Sequence, residues 1–399
     1  MTIEYRNKKI TRGEIFIKVP FKEQIGLDHA VLSGFRITAL DFSKLEKRSN
    51  VSFECDGEFL YWLADGRGFR WLKIEDPEHF GTLIAGVRKR AEFKQDYTRL
   101  ELRTRDPARG NLQNLTVEQY KDYLIDTFEY LYAEYGIFAE LSNIKFSMLE
   151  INCTFSLTQE FRKYHRVLRL LMFNLPQSFS KLGQVQKVNK EGICLDAETF
   201  YRSNSSTGIK IYDKKKQMED TSRFVLSEQI MRIEITLKTA QKVQEVFGSN
   251  RVMDLSDDKI NEYFYQQFEK LFVKKYRKWQ KQNGKFLHRM ILKHKEMYKR
   301  NWQKNLLAEC SDLEQRTQIP VLLGINELLP HIKALDQHRH YSRVVKSIMK
   351  CCEYNSTYLQ NDEQKIEEIF QKVHAVYINY CESMELRGLE VSPLSGDVA

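Results

Sequence analysis

Alternation of apolar and polar residues marks four segments of the chain as strands with one polar face each. In MLEINCTFSL, Leu149, Ile151, Cys153, Phe155 and Leu157 alternate with Glu150, Asn152, Thr154 and Ser156. A strand has a side-chain period of two, so Glu150, Asn152 and Thr154 share a face. GIKIYDK sets Ile209 and Ile211 against Lys210, Tyr212 and Lys214, and MRIEITLK sets Met231, Ile233, Ile235 and Leu237 against Arg232, Glu234, Thr236 and Lys238. YTRLELR puts Arg99, Glu101 and Arg103 opposite Leu100 and Leu102.

Helical periodicity is clearest in TVEQYKDYLIDTFEYLYAEYGI. There Tyr120, Leu124, Phe128, Leu131 and Tyr135 form one stripe, Thr116 and Gln119 fit a capping box, and Gly136 fits a C-terminal stop. A second helix is predicted over about 158–173, ending before Pro176. Residues 1–90 are strand-rich, with runs such as RGEIFIKV, SFECD and EFLYWLADGRGFRWLKI. After residue 240 the pattern turns helical, with a break expected near Asn283-Gly284 and a helical tail over about 318–383 entered after Pro320. The pattern predicts an α+β fold: an antiparallel-rich central sheet with helices on one face, followed by a basic helical domain. The expected boundaries are a strand-rich part over 1–95, a central part over 96–245, a basic helical region over 246–310 and a helical region over 311–399.

Composition adds a bias toward polyanionic partners. The chain of 399 residues carries a formal charge of +9, and its 20 Tyr and 24 Phe interleave with its cations. That mixture suits unpaired nucleic acid, where bases stack and phosphates need neutralising. The concentration is highest over 271–300, where Lys274, Lys275, Arg277, Lys278, Lys281, Lys285 and Arg289 are interleaved with Tyr276 and Trp279. So one-sided a run lacks the acids for i,i+4 pairing and favours a DNA backbone. The seven cysteines form no C-x-x-C pair, which argues against a disulfide framework and a zinc knuckle. The polar N-terminal segment shows no signal peptide, and the most apolar stretch, VLRLLMFNLP, is too short to span a bilayer. The expected location is the cytoplasm, with no membrane partner.

The polar faces of the strands over 149–157, 209–214 and 231–238 together offer a chemistry. Glu150, Asn152 and Glu234 are hard oxygen ligands for Mg2+ or Mn2+, Tyr212 is a phenolic nucleophile, and Lys210, Lys214 and Arg232 are phosphate clamps. A sheet solvated on one face accounts for the alternation equally well.

RDPARGNLQNLTVEQYKDYLIDTFEYLYAEYGI followed by KFSMLEINCTFSL, and later YRSNSSTGIKIYDKKKQ and IMRIEITLK, resemble the filamentous-phage gene-two/gene-X replication proteins and the related plasmid transfer-type initiators and relaxases. The similarity covers roughly 100–270. It implies a rolling-circle initiator that binds an origin and nicks one DNA strand through a tyrosine-phosphate intermediate, using a divalent metal. Tyr212 matches the tyrosine of the Ile-Tyr-Asp-Lys segment and Tyr201 the one that opens the hairpin; the residues leave open which attacks. The chain departs from the pattern at Arg202, where the hairpin usually has Gly, and at Glu150-Ile151-Asn152, where relatives often have Asp-x-Asp or Asp-x-Thr. It also has no His-hydrophobic-His motif; His338-Arg339-His340 has arginine in the middle. With no G-x-x-x-x-G-K-[ST] segment, unwinding would fall to a separate helicase. Two other functions suit the same surface: a non-catalytic, sequence-specific DNA-binding initiator, and a single-stranded RNA-binding protein.

Overall fold

A computed structural model of the chain describes residues 22–54, 61–62, 68–69, 71–86, 99–103, 114–179, 181–184, 199–222, 226–335, 341–353 and 356–386. RGEIFIKV and His338-Arg339-His340 lie outside these residues, as do Cys55 and Cys194. The described strands are β1 Gln24–Ser33, β2 Arg36–Leu40, β3 Val51–Glu54, β4 Tyr61–Trp62, β5 Gly68–Phe69, β6 Trp71–Asp76, β7 Gly81–Gly86 and β8 Arg99–Arg103, then β9 Ile137–Glu140 and β10 Lys145–Leu157. They continue as β11 Lys181–Gln184, β12 Thr199–Ser203, β13 Thr207–Asp213 and β14 Gln229–Leu237. Helices α1 Phe42–Leu45, α2 Val117–Tyr135, α3 His165–Phe173, α4 Lys214–Ser222 and α5 Ala240–Phe247 fall between or after strands. The rest is helical: α6 Asp257–Phe268, α7 Lys274–Tyr298, α8 Trp302–Thr317, α9 Leu329–Leu335, α10 Tyr341–Glu353 and α11 Asp362–Glu385. This is an α+β fold with a large antiparallel sheet and a helical C-terminal region. Among the described residues no helix is long and apolar enough to cross a membrane.

The chain forms two compact units: residues 1–156, 203–264 and 376–399 make the first, and 157–202 and 265–375 the second. In the first unit the strands hydrogen-bond in the order β13-β14-β10-β1-β8-β7-β6-β3. β1 runs antiparallel to both β10 and β8, β7 to β8 and β6, β6 to β3, and β13 to β14. The apolar faces read from the sequence are buried: Leu149, Ile151, Cys153 and Phe155 of β10, Ile209 and Ile211 of β13, and Ile233 and Ile235 of β14.

α2 has the ends its sequence specifies. Thr116 Oγ1 accepts from the Gln119 amide at 3.2 Å and Gln119 Oε1 accepts from the Thr116 amide at 3.0 Å. At the other end Gly136 takes φ of 65°, and an added Cβ there would lie 2.4 Å from Asp41 Cβ, so only glycine closes this helix without strain. Tyr120, Leu124, Phe128, Leu131 and Tyr135 are all buried.

A polar hub fixes α2 beside the end of β6. The buried Asp76 carboxylate accepts from Tyr135 Oη at 2.8 Å, Tyr130 Oη at 3.1 Å and the His79 amide at 3.2 Å, with His79 Nδ1 2.8 Å away. Burial alone would raise the Asp76 pKa, but the hydrogen bonds from His79, Tyr135 and Tyr130 outweigh it and hold the carboxyl below its ordinary value. Asp76→Ala strands these donors and should lower the unfolding free energy by about 2–3 kcal/mol at neutral pH. Because the folded pKa is depressed, this stabilisation is present above the unfolded value near 4 and lost as pH falls through the folded one. Urea titrations should therefore show the gap between wild type and variant narrowing on going from neutral pH to about pH 3.

The second unit is built on α7, α8, α9 and α10, whose core includes Leu287, Met290, Ile291, Trp302, Leu306, Cys310, Ile332, Ile348 and Cys352. Arg166 joins its segments, donating from Nη2 to Glu314 Oε2 and the Leu322 carbonyl, both at 2.6 Å, and from Nη1 to Asp362 Oδ2 at 2.5 Å. The break expected at Asn283-Gly284 does not occur, and α7 runs through it. The buried Asn283 sends its side-chain amide to the Val321 carbonyl at 2.9 Å rather than competing for its own helix backbone. The missing Cβ of Gly284 leaves space beside the His331 ring.

Candidate active site

The strands β13, β14 and β10, read from the sequence as one polar floor, are consecutive in the sheet. Register puts Tyr212 opposite Arg232 and Lys210 opposite Glu234 across the β13–β14 pair. Tyr212 Oη donates to Glu234 Oε1 at 2.5 Å, and Lys210 Nζ donates to Glu234 Oε2 at 2.9 Å while lying 4.3 Å from the Tyr212 ring centroid. The buried Arg232 donates from Nε to Thr154 Oγ1 at 2.7 Å and from Nη1 to Asp28 Oδ2 at 2.6 Å.

Asp28 is the residue that sequence reasoning missed. Between β1 and β10, Leu27 pairs with Ile151 and His29 with Glu150, so Asp28 is an extra residue with no partner of its own. Such a bulge re-aims side chains that strict alternation would send elsewhere. Here it brings Asp28 to Arg232 while His29 Nδ1 lies 3.6 Å from Glu150 Oε2 and His29 Nε2 3.0 Å from Glu101 Oε1. The only sequence signal is an Asp-His pair inside the otherwise apolar run QIGLDHAVL.

Asp28, Glu150 and Glu234 each offer a carboxylate oxygen, and the three lie within 4.8 Å of one another. Asn152, on the face of Glu150, is fully buried, and neither side-chain polar atom has a hydrogen-bond partner. An amide so placed forfeits a large desolvation energy unless something polar meets it. The three carboxylates form a hard-oxygen donor set that suits a divalent cation, with Asn152 on the strand face of Glu150.

Electrostatics within the cluster are strained by burial. Burial and the neighbouring Glu150 charge push the Glu234 carboxyl up to about 7. Glu150 is lowered: burial opposes its ionisation, but hydrogen bonds with His29 and Glu234 prevail. Burial and the Glu234 charge hold the Tyr212 phenol well above its ordinary value. Lys210 is raised, since the Glu234 and Glu150 charges outweigh its desolvation.

Two other candidates sit differently from the strand pattern. β13 ends at Asp213, whose Oδ1 accepts from the Lys216 amide at 2.9 Å, so Lys214 opens α4 instead of extending the strand. Its side chain is buried, Nζ donates to Gln217 Oε1 at 2.9 Å, and burial followed by the Arg232 charge lowers its amine to about 7. Tyr201 is half-buried on β12, in the second unit.

α7, also in the second unit, carries the basic run. Lys274, Lys278, Lys281, Lys285 and Arg289 are exposed at the i, i+4, i+7, i+11 and i+15 positions of one helical face. Arg277 is tied to Glu367 at 2.8 Å, and Lys275 and Trp279 are half-buried. Tyr276 is fully buried against Phe370, which makes its ring part of the core.

No protein-family profile matches the sequence, and no curated protein matches it. Among solved structures, a rolling-circle replication initiator protein from Geobacillus stearothermophilus is similar over 63% of this chain and 86% of that one, at 12% identity and a TM-score of 0.32.

Proposed function

We propose that the chain is a replication initiator that nicks one strand of DNA at an origin through a tyrosine-phosphate intermediate. The observation that carries the reading is the contact between Tyr212 Oη and Glu234 Oε1, one of a cluster of three carboxylates. Tyr212 Oη attacks the phosphorus of a backbone phosphodiester and its proton passes to Glu234. The bond from phosphorus to the 3′ oxygen breaks, that oxygen leaves and takes up a proton, and the 5′ phosphate stays on the tyrosine. Glu234 Oε1 already accepts the Tyr212 hydrogen bond, which places it to take the proton in the forward direction and to return it in the reverse. Asp28, Glu150, Asn152 and Glu234 are the residues that would hold a divalent cation, which when bound supplies charge neutralisation at the phosphoryl oxygens.

Lys210, the half-exposed cation of the cluster, is placed to neutralise a phosphate at its edge. Arg232 is committed to Asp28 and Thr154, which makes it a positioning residue that fixes Asp28. Lys214 donates to Gln217 with its Nζ 6.0 Å from the Tyr212 ring centroid, which makes it a positioning residue beside the tyrosine. Tyr212 is 3% exposed, so attack requires that the phosphate reach a hydroxyl that is covered in the free chain. On exposure alone, the half-buried Tyr201 is the second candidate nucleophile.

The test is incubation with supercoiled DNA carrying the replicon's origin, followed by a denaturing gel. The expected result is a nicked product with protein attached to its 5′ end, formed with Mg2+ or Mn2+ and not in EDTA. Origin binding without any adduct would instead identify a non-catalytic initiator.

The exposed cations of α7 serve as the backbone contact in this reading, with a separate helicase supplying unwinding. Reversing Lys274, Lys278, Lys281 and Lys285 to Glu should weaken binding to specific and scrambled duplexes alike. Each lost phosphate contact should also flatten the dependence of log K on log salt by roughly 0.7–0.9. Fluorescence anisotropy at several salt concentrations measures both quantities, and an unchanged slope would make this face merely solvated.

A further inference from the structure

α2 buries one face and turns another outward, and the outward face has an unusual composition. Glu118, Asp122, Ile125, Glu129 and Tyr132 are exposed at i, i+4, i+7, i+11 and i+14, a single seam about 21 Å long. Ile125 is 45% exposed and Tyr132 53%. The apolar part continues onto β9, where Phe138, 42% exposed, meets Tyr132 edge to face at 4.7 Å between ring centroids. The exposed Ala39 of β2 pairs with Phe138 in the small β2–β9 sheet.

Of the acids on this face, Glu118 pairs with Lys121 at 2.9 Å. Asp122, Asp126 and Glu129 are exposed and make no ion pair among the described residues. In a chain of net charge +9, these three carboxylates share a helix face with the exposed Ile125 and Tyr132. Each apolar residue alone would be unremarked surface, but Tyr132 and Phe138 in contact, with Ile125 two turns away on the same helix face and three unpaired carboxylates on that face, mark an interaction site.

The charge pattern selects among occupants. A nucleic acid would stack on Tyr132 and Phe138 but would set its phosphates against the carboxylates. A second copy using the same face through a two-fold axis would set acids against acids. The 4-3-4-3 spacing of the seam is the repeat by which one helix packs along another, with Ile125 and Tyr132 at one heptad position and Asp122 and Glu129 at the other.

We propose that the α2–β9 face docks a basic amphipathic helix of a partner protein. Its apolar side chains cover Ile125, Tyr132 and Phe138, and its lysines or arginines meet Asp122, Asp126 and Glu129. The proposal is independent of the nicking reading, because none of these residues belongs to the carboxylate cluster.

The probe is a fluorescein-labelled helical peptide of about three heptads with Leu at one seam position and Lys at the other, titrated with the full chain. A peptide with Glu replacing the seam Lys is the control. The expected result is saturable binding of the Lys peptide only, weakened about tenfold or more by the double variant Asp122→Lys/Glu129→Lys and severalfold by Tyr132→Ser. Affinity for DNA should not fall in either variant. Because these positions are exposed, circular dichroism melts should match wild type, which separates lost docking from lost fold. Failure of the Lys peptide to bind, or binding that the double variant leaves unchanged, would overturn the proposal. So would light scattering that shows wild-type dimers dispersed by the double variant, because a second copy would then be the occupant.

Discussion

Tyr212→Phe removes a single oxygen and should eliminate the covalent adduct, with cleavage of a single-stranded origin oligonucleotide falling by about a thousandfold or more. The ring is buried beneath Lys210, and its packing survives in phenylalanine, so DNA binding should stay within about twofold of wild type. The variant also leaves Glu234 Oε1 without its donor, but Lys210 still holds Oε2, so the carboxylate keeps one anchor. Tyr201→Phe is the paired experiment. If Tyr201→Phe abolishes the adduct and Tyr212→Phe does not, the nucleophile is Tyr201 and the Tyr212 hydroxyl serves to orient Glu234.

The second large effect concerns the carboxylates. Glu150→Ala and Glu234→Ala each remove an oxygen donor from a set of three, and should reduce metal-dependent cleavage by about a hundredfold or more. Binding of Mn2+, followed by electron paramagnetic resonance in the absence of DNA, should weaken in parallel. Asp28→Ala is a harsher change, because it also strips the buried Arg232 of its ionic partner. Loss of one member of such a pair destabilises by about 3–5 kcal/mol, so the melt of this variant must be measured beside its activity. Asn152→Ala separates two accounts of the orphaned amide. If the amide meets a bound cation, Mn2+ affinity drops with little change in the melt; if it is only a buried amide lacking partners, the variant gains stability and keeps its affinity.

The strands of the site were legible because their period of two is enforced by a buried face: Ile151, Ile211 and Ile233 point into the core and so carry Glu150, Asn152, Tyr212, Arg232 and Glu234 together. α2 was legible for a similar reason, since its capping box and terminal glycine satisfy backbone groups that are local in sequence. Asp28 was not, because a bulge breaks the period that the reading relied on, and the Asp-His pair in QIGLDHAVL does not by itself announce a bulge. Lys214 was misplaced because Asp213 caps a helix there, a signal present in the sequence as Asp followed by lysines and glutamine but overridden by the strand pattern before it. The helix that runs through Asn283 and Gly284 depends on the Val321 carbonyl, far away in sequence, so local propensity pointed the wrong way. The assembly of the first unit from three chain segments was equally hidden. Contacts such as Tyr380 Oη to Asp258 Oδ1 at 2.6 Å are set by tertiary packing and leave no periodic trace.

The central claim is that a tyrosine within the carboxylate cluster becomes covalently joined to DNA. It is tested most directly by trapping the adduct on a single-stranded origin oligonucleotide, digesting it with nuclease and trypsin, and locating the residual nucleotide by mass spectrometry. The account expects the mass addition on Tyr212, in the peptide that trypsin releases between Lys210 and Lys214. A nucleotide on any residue outside the cluster, or efficient cleavage with no protein-linked nucleotide at all, would contradict it.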